Sequence, residues 1–144
     1  MSNAIEFLSA NYRPDLDVWV CRWINLLNPN HFTACYEYIF NQAITHNWHY
    51  WLIDIRGRGK ADKEQEEWYF NVFLPEKLKL LTGNNYLAYL VMPSHLTHIK
   101  KMKQFHKFDD NNKTSSLTTH FFQAEQDAFE WLINCRSGEQ STFK

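Results

Sequence analysis

Glycine and proline are scarce in this chain, four of each in 144 residues, so long floppy linkers between separate domains are not expected. Neither sign of charge dominates. The formal net charge is −1, and no global field draws the molecule to nucleic acid or to anionic lipid. Cysteine is sparse and odd in number. Cys21, Cys35 and Cys135 stand far apart, with no Cys-x-x-Cys pair, which fits reduced thiols in a cytoplasmic protein better than a disulfide framework or a zinc site. No run approaches the roughly 18 apolar residues that a membrane span needs. The opening "MSNAIEFLSANYR" has neither a basic segment nor an apolar stretch of the secretory kind. Also missing are the nucleophile elbow, the His-Glu-x-x-His motif, the Gly-Lys-Ser/Thr of a P-loop and the third glycine of a dinucleotide fingerprint. No cofactor, metal or catalytic residue is therefore assigned, and the chain reads as a non-enzyme.

What is abundant is apolar and aromatic material. Hydrophobic residues make up 44% and aromatics 17%, with six Trp. A chain of this size buries a core without metals or disulfides. The pattern predicts one domain over residues 1–136 and a frayed tail over 137–144. "AIEFLSA" and "DVWVCRWI" are β-prone runs joined through Pro14 and Asp15, which suits a hairpin. A helical stripe follows at Phe32, Cys35, Tyr36, Ile39, Phe40, Ala43 and Ile44. "HYWLIDI" and "YLAYLVM" are continuous apolar runs, as expected of strands covered on both faces. "LTTHFF" is a last strand. Helices are predicted from Asp62 past Phe73 with a break at Pro75, from Ser94 as N-cap with Leu96, Ile99, Met102 and Phe105 inward, and over "AEQDAFEWLINC". The order ββαβαβαβα predicts an α/β domain with a mixed, mostly parallel sheet of about five strands and four helices.

The segment "WLIDIRGRGKADKEQEEW", residues 51–68, has the outline of a phosphate-binding turn: a strand, then Gly57 and Gly59 among cations, then a helix start. The helix start is already occupied, however. Asp62 and Gln65 fit a capping box, and Glu64, Glu66 and Glu67 place negative charge where an anion would sit. The expectation is a tight polar loop of Asp54, Arg56 and Arg58, with Asp54 paired to one of the two arginines.

This stretch, the following "LPEKL…TG", "YLAYLVM" and the closing "FFQAEQDAFEWL" together resemble the bacterial SpoIIAA-like (STAS-like) proteins, akin to anti-sigma-factor antagonists. The resemblance covers about Asp17 to Ile133. It implies the fold and a regulatory or protein-interaction role. Regulatory members carry a phosphorylatable Ser or Thr in the loop after this strand; here Arg56 to Glu67 contains neither, which implies a module without that switch.

Three further features carry two readings each. His95 and His98 are spaced for a shared metal, but the expectation is polar surface histidines. "HIKKMKQFHK" is either a basic membrane-touching face or the solvated side of a core helix, and the second is favoured. Six of the seven residues from Trp68 to Leu74 are apolar, more than one helical stripe buries. On that spacing Trp68 and Val72 share the inward side with Tyr69 and Phe73 beside them, and Phe70 and Leu74 point substantially elsewhere. Either neighbouring helices cover the surplus, or Tyr69, Phe70, Phe73 and Leu74 form a surface for a protein partner or a second copy of the chain; the first is favoured. The alternative function is a binder of a small apolar ligand in an aromatic-lined pocket.

Overall fold

The computed structural model describes residues 8–24, 29–58, 61–101 and 116–141. Its five strands are β1 (Leu8–Arg13), β2 (Val18–Trp23), β3 (Tyr50–Asp54), β4 (Asn85–Leu90) and β5 (Leu117–Phe122). They lie in the sheet in chain order. β1 and β2 are antiparallel, and β2 to β5 run parallel. The described residues form four helices. α1 is Pro29–His46. α2 is composite: an α-helix over Lys63–Glu67, a π-helix over Trp68–Phe73 and an α-helix over Leu74–Leu78. α3 is Pro93–Lys101, and α4 is Glu125–Ser141. The α/β class, five strands and four helices are as the sequence pattern predicts.

Because strand order never reverses, successive right-handed crossovers stack their helices on one face. That face buries Trp19, Cys21, Trp51, Ile53, Leu87 and Tyr89 under α1, α2 and α3. The register aligns them in rows, Trp19–Trp51–Leu87 and Cys21–Ile53–Tyr89. The alternate residues Val18, Val20, Leu52, Ala88 and Leu90 pack under α4 on the other face. β3 is thus buried at every position, which explains its unbroken apolar run. Among the described residues, no helix is long and apolar enough to cross a membrane.

Several boundaries differ from the sequence reading. α4 continues through residue 137 to Ser141, whereas a domain edge at 136 and a frayed tail are expected from composition. Gly138 does not adopt the left-handed conformation that usually ends a helix, and Arg136 ties the helix to the β1–β2 turn through Nη1 to the Leu16 carbonyl at 2.8 Å. Residues 142–144 lie outside the described residues. α3 begins at Pro93, with the Leu96 N–H bonded to the Met92 carbonyl, so Ser94 sits inside the first turn and is not its cap. The fixed φ of proline suits that first position. Met102 and Phe105 lie outside the described residues.

The aromatic surplus of α2 is covered, the first of its two readings, but not by the residues that ordinary spacing turns inward. Tyr69, Phe73 and Leu74 are 7%, 3% and 2% exposed, and Phe70 is half-buried. They are not an exposed contact surface. Val72, placed inward by ordinary helical spacing, is 57% exposed. The cause is the π-helical stretch, in which the Leu74 N–H reaches back five residues to the Tyr69 carbonyl. The wider turn brings Tyr69, Phe73 and Leu74 to one side together. Pro75 follows at once, with no N–H to offer a regular preceding turn.

Candidate functional site

The loop after β3 splits its charges between two destinations. Asp54 accepts from Arg56 three times, from the backbone N–H at 3.0 Å, Nε at 3.0 Å and Nη2 at 2.9 Å. It also accepts from Arg22 Nη1 at 3.0 Å, and the same nitrogen donates to Glu125 at 2.8 Å. Burial works against the Asp54 charge, but the Arg56 and Arg22 hydrogen bonds prevail and hold its carboxyl below the usual carboxylate range. Of the two candidate partners of Asp54, Arg56 is the one it binds. The capping box is present: Asp62 accepts the Gln65 N–H at 2.8 Å, and the Gln65 side chain accepts the Asp62 N–H at 2.9 Å.

Arg58 turns inward and is 6% exposed. Its guanidinium carbon lies 4.7 Å from the Trp23 ring centre, 5.2 Å from Phe32 and 5.7 Å from Tyr36, a cage suited to a desolvated cation. Gly57 makes this reversal possible. A Cβ there would stand 2.6 Å from the Trp23 carbonyl oxygen, closer than any side chain is tolerated. Gly57→Ala is expected to cost roughly 1–3 kcal/mol through local overpacking and to lower the urea midpoint. An unchanged midpoint would mean that the loop is not held against β2.

Arg58 forms part of the wall of a cavity of about 50 Å³ near the C-terminal ends of the strands, the end where open α/β sheets usually bind ligands. Phe32 and Tyr36 of α1, Tyr69 and Phe70 of α2, and Tyr89 of β4 supply aromatic wall beside it. Three phenols meet there. Tyr36 Oη and Tyr89 Oη are 3.0 Å apart, Tyr89 donates to Tyr69 at 3.0 Å, and Arg58 Nη1 donates to Tyr36 at 3.0 Å. Burial pushes the Tyr69 and Tyr89 hydroxyls well above their ordinary range, so both stay protonated at neutral pH. Beneath the cage, burial pushes the Cys35 thiol up to about 11 against the opposing charge of Arg58. Cys35 is fully buried and packs there as a neutral thiol.

α3 closes one side of the cavity. His95 is 5% exposed and lines the wall, and His98 Nε2 lies 2.7 Å from Glu66 Oε2 of α2. The carboxylate only accepts, so the ring nitrogen carries the hydrogen. For His95 the expectation of a surface histidine is thus corrected, because starting α3 at Pro93 turns it inward beside Ile99, whereas the His98 side chain stays 36% exposed. Among the described residues no cluster of three His, Cys, Asp or Glu could hold a metal ion.

The structure therefore separates the predicted loop residues, with Asp54 and Arg56 in one network and Arg58 in another. It also adds Tyr36 and Tyr89, which the sequence reading treats only as core. The available signal was chemical: a buried phenol needs a hydrogen-bond partner, and these two sit at positions patterned for full burial. No protein-family model, curated protein or solved structure matches this chain.

Proposed function

We propose that this chain is a non-catalytic binding module that takes a small molecule, or the small end of a larger one, into the cavity beside Arg58. The observation that carries this reading is a buried cation and three buried phenols placed around a cavity whose wall is otherwise mostly apolar, with Glu66 and His95 its other polar members, the usual composition of a ligand site. Size sharpens the choice of ligand. At roughly 10–15 Å³ per water, 50 Å³ holds about three to five waters, and it is about a third of the ~150 Å³ that encloses benzene. A whole aromatic ring is too large; a group of about four heavy atoms fits.

The regulatory role implied by the SpoIIAA-like resemblance keeps one supporting observation. The loop where that resemblance places a switch is the loop that sends Arg58 into the cavity, so ligand occupancy takes the place of phosphorylation as the signal. Assembly through Tyr69, Phe70 and Phe73, with a protein partner or a second copy, loses its support because those rings are engaged in the core.

The test is amide-resolved NMR of the protein under xenon pressure and under titration with acetone and acetate. Saturable shifts confined to Ile55, Ala61, Ile99 and their neighbours are expected. Four heavy atoms contribute at most roughly 6 kcal/mol, so affinities between tens of micromolar and millimolar are expected. The cavity-filling change Ala61→Leu should abolish the shifts. If no probe produces them in the parent protein, the binding reading fails.

A further inference from the structure

The direction of the hydrogen-bond chain around the cavity follows from counting hydrogens. A guanidinium only donates, and a phenol has one hydrogen to give. Arg58 Nη1 donates to Tyr36 Oη, and Tyr89 Oη donates to Tyr69 Oη, each at 3.0 Å. Tyr89 has then spent its hydrogen, so the 3.0 Å contact between Tyr36 and Tyr89 must run from Tyr36 to Tyr89. The relay is Arg58 to Tyr36 to Tyr89 to Tyr69. At its end the Tyr69 hydroxyl accepts, while its own hydrogen meets no acceptor among the described residues.

All four members are more than nine-tenths buried, and Tyr69 forms part of the cavity wall. A buried donor without an acceptor is costly, and its usual explanation is a partner that arrives from outside the chain. The charge at the head of the relay also matters. Arg58 polarises each O–H in the same sense, which makes the terminal hydroxyl a stronger donor than an isolated tyrosine.

We propose that the cavity receives an acceptor oxygen, on the carbonyl or carboxylate of a small ligand with an apolar body, and that Tyr69 Oη is the group that donates to it. This rests on the ligand-binding reading above and adds the chemical class of the ligand. The aromatic wall takes the apolar body and the relay takes the oxygen. Arg58 favours a carboxylate, whereas the charge of Glu66, also in the wall, opposes one. Carbonyl and carboxylate are therefore separate arms of the test.

The probes are acetone, acetate and xenon, read by amide-resolved NMR. Xenon reports entry to the cavity without any acceptor. Tyr69→Phe removes the terminal hydroxyl and keeps the ring. It is expected to weaken whichever of acetone or acetate binds the parent protein by roughly three- to tenfold, the effect of one hydrogen bond, and to leave xenon unchanged. Tyr36→Phe cuts the relay from Arg58 and leaves the Tyr69 hydroxyl in place; it should weaken the same probe by a smaller factor. It also provides a second reading should Tyr69→Phe fail to fold. Preference for acetone assigns a carbonyl ligand, and preference for acetate a carboxylate. Three results overturn the proposal while sparing the binding reading: xenon entering where neither oxygen probe does, Tyr69→Phe binding the oxygen probes as the parent does, or an equal loss of xenon and oxygen probes in both variants. Failure of all three probes to enter would remove the binding reading as well.

Discussion

Replacing Trp51 with alanine is expected to lower stability by roughly 3–5 kcal/mol, a large share of the ~5–15 kcal/mol that holds a domain together. Trp51 lies in the middle of β3 and is fully buried. Trp19 and Leu87 flank it in register. Its ring meets Phe40 of α1 edge-on, with centres 4.9 Å apart at 84°, and its Nε1 donates to the Trp48 carbonyl at 2.8 Å. Alanine removes the ring that joins the sheet to α1 and leaves a hole bounded by packed strands, which collapse poorly. It also orphans the Trp48 carbonyl. Urea denaturation should show the midpoint falling with little change in slope. A loss under about 1 kcal/mol would mean that β3 is not the centre of the sheet.

Removal of the Asp54 carboxylate is the second large effect. Two guanidiniums converge on it, and the side chain is 9% exposed. Breaking a buried pair from one side costs roughly 3–5 kcal/mol. Arg22 and Arg56 are 31% and 35% exposed, so water recovers part of that, and Asp54→Ala is expected to cost roughly 2–3 kcal/mol at pH 7. The dependence on pH has a definite sign. The folded carboxyl titrates below the unfolded one, so its contribution is fully present above the unfolded value near 4 and disappears as pH falls through the lower folded value. The stability gap between parent and Asp54→Asn should therefore be constant from about pH 7 to 5 and close as the pH falls below about 4. A gap that widened in acid would contradict the assigned pairing.

Much of the architecture is legible in the sequence because it depends on short-range periodicity. The stripe from Phe32 to Ala43 repeats at helical spacing and is buried in α1. The unbroken run of β3 has no polar face to offer solvent. Asp62 and Gln65 sit three apart at a helix start, and their reciprocal bonds form there. Each signal spans a few residues and needs no knowledge of distant ones. The seven residues from Trp68 to Leu74 mark the limit of that method. Assigned by ordinary helical spacing, they put Val72 inward and Leu74 outward. The π-helical stretch reverses both, because packing Tyr69, Phe73 and Leu74 together under α1 outweighs regular backbone geometry.

The sequence by itself determined the class, the order of elements and the two-sided burial of the central strands, since these follow from local patterns of apolar residues and caps. It also placed two arginines in one loop without distinguishing them. Only the tertiary structure decided that Arg56 faces the Asp54 network while Arg58 enters the cavity, because the choice rests on where the Trp23 carbonyl lies against Gly57. It likewise decided that Tyr36, Tyr69 and Tyr89, from α1, α2 and β4, join their hydroxyls in one relay. Their positions are 33 and 20 residues apart in the chain, and only the packing of helices onto the sheet sets phenols at such separations to within hydrogen-bonding distance.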